Sequence, residues 1–155
     1  MELYSLYMAH AKMQYGAFKV TSSTNRRGLS STTHYYIERN GEEPVKLGTG
    51  KDGKKLARTL AAALEAAGVH NFDCLPPGLR GDDPQYPHDY SDDEWEAWAS
   101  DNEVVPVRIA SGGKAAIAAY LKVVHREREK WIASRLGVSE TTVRQYLSDL
   151  REGRR

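Results

Sequence analysis

The chain has 155 residues, 40% of them hydrophobic, which is room for one medium domain or two small ones and enough apolar mass for a core. A mean hydropathy of −0.63 and the lack of any apolar run near the roughly 18 residues of a membrane helix exclude a spanning segment, and residues 1–15 lack a secretory-signal pattern, so a cytoplasmic protein is expected. The net charge of +1 divides into +4 over residues 1–70, −9 over 71–106 and +6 over 107–155, so either the basic C-terminal end meets a polyanion or these runs are only solvated faces.

Residues 18–24 and 32–39 are rich in β-branched and aromatic side chains and flank the polar Asn25-Arg26-Arg27-Gly28 segment, which predicts an antiparallel pair. Asn40-Gly41 favours a two-residue hairpin turn, whose central positions must tolerate positive φ, with residues 43–47 returning as a third strand. A helix then opens at Asp52 or Gly53, carries Leu56, Leu60, Ala63, Leu64 and Ala67 at helical spacing, and ends at Gly68. The expected fold class is α+β: a small antiparallel three-stranded meander with a covering helix over residues 1–70, and a helical domain at the other end. The run from Gly48 to Lys55 fits GxxxxGK, yet Lys55 stands where a phosphate-binding loop needs a hydroxyl for magnesium, and no long α/β sheet with a second acidic strand follows. A Lys- and Gly-rich turn is expected there, from which Lys51, Lys54 and Lys55 can touch phosphate, as Arg26 and Arg27 can from their own segment.

Residues 71–106 form an acidic, Pro-rich connector, with Pro76-Pro77-Gly78, Gly81, Pro84 and Pro87 breaking regular structure. Within it Ser91 caps a short helix to about Ser100, started by Asp92, Asp93 and Glu94, with Trp95 and Trp98 on one face. A strand interrupted by Pro106 is predicted over 104–109. His70, Asp73, Cys74 and His88 match no zinc spacing, and the lone Cys74 reads as a small core residue. The acids at 92–96 suit a helix start rather than hydrolysis, and no Ser sits in a nucleophile elbow. No catalytic residue, cofactor or metal is therefore expected.

The segment 107–155 carries the densest pattern. A support helix over 114–124 places Ile117, Tyr120, Leu121 and Val124 on one stripe, and a second near 128–136 turns Ile132, Ala133 and Leu136 inward. Gly137-Val138-Ser139 follows. A third helix begins after Ser139, its expected N-cap, with Glu140 as first-turn acid and Val143, Tyr146, Leu147 and Leu150 as the buried stripe out to Asp149 or Arg151.

The run Ile132-Ala133-Ser134-Arg135-Leu136-Gly137-Val138-Ser139-Glu140-Thr141-Thr142-Val143-Arg144-Gln145-Tyr146-Leu147 resembles the helix-turn-helix of bacterial and archaeal regulators and site-specific resolvases. The whole tail from Val107 is also similar to small regulators of halophilic archaea, their plasmids and viruses, from whose acidic surfaces the near-neutral charge departs. In such a unit Ala133 lets the helices approach, Gly137 takes the left-handed turn and Val138 plugs the angle between them. The resemblance implies that the third helix enters the major groove of double-stranded DNA with Ser139, Glu140, Thr141, Arg144, Gln145 and Ser148 toward the bases. Arg144 suits guanine, Gln145 adenine, and Glu140 the cytosine amino group. Lys130, Arg135, Thr142, Arg151, Arg154 and Arg155 would meet phosphates, and Arg154-Arg155 could reach a minor groove. The implied protein is a transcriptional regulator without catalysis, working as a homodimer on two half-sites. The alternatives are an accessory factor in recombination or replication, since a three-stranded sheet with a following helix resembles the arm-binding domains of tyrosine recombinases, or a protein interaction adaptor.

Overall fold

A computed structural model describes residues 13–76, 79 and 105–154. The elements are β1 (Gln14–Tyr15), β2 (Phe18–Arg27), β3 (Ser30–Glu38), β4 (Val45–Thr49), α1 (Gly50–Ala66), α2 (Val107–Ala110), α3 (Lys114–Val123), α4 (Glu129–Leu136) and α5 (Glu140–Glu152). The expected helix near residues 91–100 with Trp95 and Trp98, together with His88 and Arg155, lies outside the described residues.

The fold is α+β, but the antiparallel sheet has four strands in the order β1-β2-β3-β4 rather than three. The extra strand is only two residues long. It forms because Gly16 takes φ +57° and folds Tyr15 back against Phe18, a turn that no alternating pattern announces. The β2–β3 turn is also tighter than expected: β2 runs through Arg27, and only Gly28, at φ +61°, and Leu29 separate it from Ser30. Conversely, the Asn40-Gly41 hairpin is not made. Residues 39–44 form a longer loop in which Gly41 has φ +83°, and the fourth strand starts at Val45 instead of Glu43. Glu42 fixes that loop by pairing with Arg39 at 3.4 Å and accepting the Phe72 N–H at 3.3 Å, so tertiary contacts outweigh the local turn preference.

One face of the sheet buries Phe18, Val20, Ile37, Val45 and Leu47 against α1. α1 is more than a cover. Besides Leu60, Ala63 and Leu64 it buries Ala57, Arg58, Thr59, Ala61 and Ala62, because its other side packs on α3 and α5. Leu56 and Ala67, expected on the buried stripe, are only half-buried. Both helices are rich in buried alanines, Ala57, Ala61, Ala62 and Ala63 on α1 and Ala115, Ala116, Ala118 and Ala119 on α3, small side chains that suit close helix packing. The helix ends in a Schellman motif, in which the Val69 N–H reaches Leu64 O and the Gly68 N–H reaches Glu65 O, both at 3.0 Å. Its start explains the GxxxxGK pattern. β4 ends at Thr49 and α1 begins at Gly50, so no loop remains to cradle a phosphate. A Cβ on Gly53 would stand 2.3 Å from the Gly48 carbonyl carbon, so that glycine serves the contact between helix start and strand end.

Of the expected strand over 104–109, the described residues 105–109 form no strand, and Val107–Ala110 make the single helical turn of α2. The Pro106 carbonyl accepts the Ala110 N–H at 2.9 Å and Ile109 alone buries its side chain; a β-branched run makes a strand only where a sheet edge receives it. α3 then crosses the centre, burying Ala115, Ala116, Ala118, Ala119, Tyr120, Leu121 and Val123, whereas Ile117 is only half-buried. Tyr120 donates through its hydroxyl to the Cys74 carbonyl at 2.8 Å, and the half-buried Cys74 thiol is pushed up from its usual range by desolvation. One continuous apolar cluster runs from Tyr15 to Leu150, joining sheet and helices. Among the described residues no helix is long and apolar enough to cross a membrane.

Candidate nucleic-acid interface

Two helices and a three-residue turn build the candidate surface. α4 closes at Gly137, whose φ +68° and ψ +35° are the left-handed values a side chain resists, and the Val138 N–H returns to Ala133 O at 3.0 Å. Ser139 leaves this turn in an extended conformation and accepts the Thr142 N–H at 3.1 Å, capping α5 as its sequence predicts. Ile132 and Ala133 of α4 and Val143, Leu147 and Leu150 of α5 are buried. Tyr146, Leu136 and Val138 are half-buried, so Tyr146 stands at the margin rather than within the stripe.

The polar positions of α5 divide by depth. Ser139, Glu140, Thr141, Arg144 and Gln145 are exposed, while Thr142 and Ser148 are half-buried. Arg144 keeps 55% of its side-chain area in solvent and leans across to Glu129 at 3.4 Å and Thr141 Oγ1 at 3.4 Å. Gln145 donates to Asp149 at 2.7 Å, and Arg154 donates to both Asp149 at 2.9 Å and Ser148 Oγ at 3.0 Å. These are exposed, water-competing pairs worth little individually, so they orient the side chains without locking them. Lys130 and Arg135 are exposed on α4. Arg135 stacks 5.2 Å above the ring of Trp131, which is 39% exposed and lies beside the inward-facing Ile132. Trp131 is a surface residue that sequence reasoning missed; its signal was a large aromatic one position off the apolar stripe.

Arg151 behaves differently from its expected outward role. Its guanidinium donates to Thr59 Oγ1 of α1 at 3.1 Å, and desolvation lowers its pKa from the ordinary arginine value. Around it lies a polar seam: the Tyr15 hydroxyl donates to Arg151 O at 2.6 Å, and Arg58 donates to Tyr15 Oη at 3.2 Å and to Glu152 at 3.1 Å. Burial also pushes the Tyr15 hydroxyl above its usual pKa, partly offset by the Arg58 hydrogen bond. The seam ties the end of α5 to α1 and β1.

Between the start of α1, the segment after α3 and the outward face of α5 runs an open cleft of about 840 Å³. Lys55 lines it from α1, Lys122 from α3 and Arg126 from the loop before α4, opposite Thr141, Arg144, Gln145 and Ser148 of α5. Arg126 is held there at φ +57° with its guanidinium donating to Leu47 O of β4 at 2.9 Å. Asp52, Glu127 and Glu129 share the lining, and Glu129 lies 3.9 Å from Lys122 as well as against Arg144. The arrangement offers hydrogen-bond donors of α5 on one wall and cations on the other, and among the described residues no three His, Cys, Asp or Glu side chains gather as a metal site. No protein-family model, curated protein or solved structure matches the chain.

Proposed function

We propose that the protein is a sequence-specific double-stranded DNA-binding regulator that reads the major groove with α5 and acts by occupancy rather than by a reaction. The supporting observation is the capped α5, which carries Thr141, Arg144, Gln145 and Ser148 along one accessible face bordered by a cleft with cations on its far wall. A helix of this width fits the major groove, where a guanidinium or carboxamide pairs bidentately with guanine or adenine. The groove's own wall, a sugar-phosphate strand, then lies in the cleft against Lys55 and Lys122, while Arg126, whose guanidinium donates to Leu47 O, braces that wall. Exposed Lys130 and Arg135 on α4 add phosphate contacts beside it, while Arg151, engaged with Thr59, serves structure.

One such helix touches few base pairs, so two copies on half-sites about 34–36 Å apart complete the reading. The experiment is selection of bound duplexes from genomic fragments, followed by affinity measurement on the recovered site. Arg144→Ala should weaken binding and relax preference at one base pair, whereas Lys130→Ala should weaken all sequences alike. Equal losses on every sequence from both variants would contradict the assignment of Arg144 to a base.

A further inference from the structure

Beyond the cleft, the largest feature without a role is the far half of the β2–β3 hairpin. β1 pairs with β2 only as far as Lys19, and β4 pairs with β3 only as far as His34, so residues 24–27 and 30–33 continue as a two-stranded ribbon. Six consecutive residues of β2, from Ser22 to Arg27, are exposed on both faces, as are Ser30, Ser31 and Thr32. At about 3.3 Å per residue the ribbon reaches roughly 13 Å from the sheet. A projection of this length, built from Ser and Thr and closed by a two-residue turn, buries nothing among the described residues and contributes little to the core. Its hydroxyls pair across the strands, as between Thr24 and Thr33 at 3.0 Å, which stiffens it without tying it down.

Its chemistry is one-sided. Between Lys19 and Glu38 the sequence holds no acid, and the only charges on the projecting part are Arg26 and Arg27 at the tip. Between them and Ser30 sits Leu29, a fully exposed large apolar side chain. Two arginines, a row of hydroxyl donors and one apolar point form a surface complementary to a sugar-phosphate backbone and a groove edge. Position supports the same partner. Thr49 pairs with His34 at the ribbon's root, and α1 begins at the next residue, so the root adjoins the α1 start that lines the cleft opposite α5.

Resting on the DNA-binding reading above, we infer that the β2–β3 ribbon is a second contact to the same duplex, an arm that grips the segment flanking the α5 site. Arg26 and Arg27 contact phosphates there, and Leu29 packs against the groove edge. The arm extends the footprint and adds electrostatic affinity, while α5 keeps the sequence choice.

The test uses the full chain on the selected duplex, comparing wild type, the Arg26→Ala/Arg27→Ala double variant and Leu29→Ser by hydroxyl-radical footprinting and salt titration. The double variant should retain protection at the α5 site, lose the flanking protection, and flatten the slope of log affinity against log salt by about 1.8, the value for two released counterions. Leu29→Ser should leave the slope unchanged and lower affinity several-fold. A double variant with the wild-type footprint and slope would overturn the arm while leaving α5 binding intact. If that variant instead lost self-association in sedimentation with an unchanged footprint, the arm's partner would be a second copy and the inference would again fail. Wild-type protein that protects no duplex would sink both the arm and the function on which it rests.

Discussion

Two positions on one stripe of α5 put the same residue type to opposite uses. At the C-terminal end, which α1 covers, Arg151 is drawn against Thr59, and its carbonyl is bound by Tyr15, while Arg58 bridges Tyr15 and Glu152. Seven residues earlier Arg144 stays largely in solvent, held by exposed contacts to Glu129 and Thr141. A guanidinium drawn into a part-buried hydrogen bond, as Arg151 is with the Thr59 hydroxyl, has less to offer a ligand, whereas one restrained by surface pairs exchanges partners at little cost. The contrast teaches that charge on this helix does not by itself mark an interface. What marks it is how much of the side chain's hydrogen-bonding capacity the fold has already used.

The contrast can be broken most forcefully from the inner face. Leu147→Ala should destabilise the chain by about 2 to 5 kcal/mol through the cavity it leaves, measured by urea unfolding. Arg144→Ala should do the reverse: stability changes by no more than about 0.5 kcal/mol, while duplex affinity falls by about 1 to 3 kcal/mol. Comparable stability losses from the two would erase the distinction between the faces. Ser139→Ala sits at their junction and should cost about 1 kcal/mol by removing the cap on the Thr142 N–H, with affinity falling alongside.

The smallest effect concerns pH. The Tyr15 hydroxyl is raised above its ordinary value of 10.0 by burial, so the folded state disfavours its ionisation. Its contribution is complete below that value and is lost as pH climbs through the higher folded-state value. Unfolding measured on both sides of pH 10.0 should therefore show wild type losing stability more steeply than Tyr15→Phe. Parallel pH profiles would remove Tyr15 from the seam's energetics.

Local signals carried much of the molecule. The Gly137 turn, the Ser139 cap and the alternation of Val143, Leu147 and Leu150 with polar residues each act within a few positions of chain, and the structure contains them as read. What sequence could not supply was the neighbour. Arg144 and Arg151 lie seven residues apart and so share one helical stripe, and periodicity alone sends both outward. α1 covers the end of that stripe, which only the tertiary arrangement reveals. The same holds for α1 itself, where Ala57, Ala61 and Ala62, outside the predicted stripe, are buried because the helix packs on the sheet and on two other helices. The Val107-Arg108-Ile109 run looked extended because of its side chains, but with Pro106 ahead of it the backbone satisfied itself in one helical turn. Gln14–Tyr15 is too short for any period to register. For the candidate site, the identities of the α5 residues were legible, while the cationic wall of Lys55, Lys122 and Arg126 depended on three distant segments meeting.

The most direct measurement is the equilibrium affinity of the full chain for its selected duplex as salt is raised from dilute buffer. Binding through α5 with cations along the cleft predicts tight retention at low salt, a steep linear fall of log affinity with log salt, and weaker binding to a scrambled duplex throughout. Failure to retain either duplex in dilute buffer, or an affinity indifferent to salt and sequence, would contradict it.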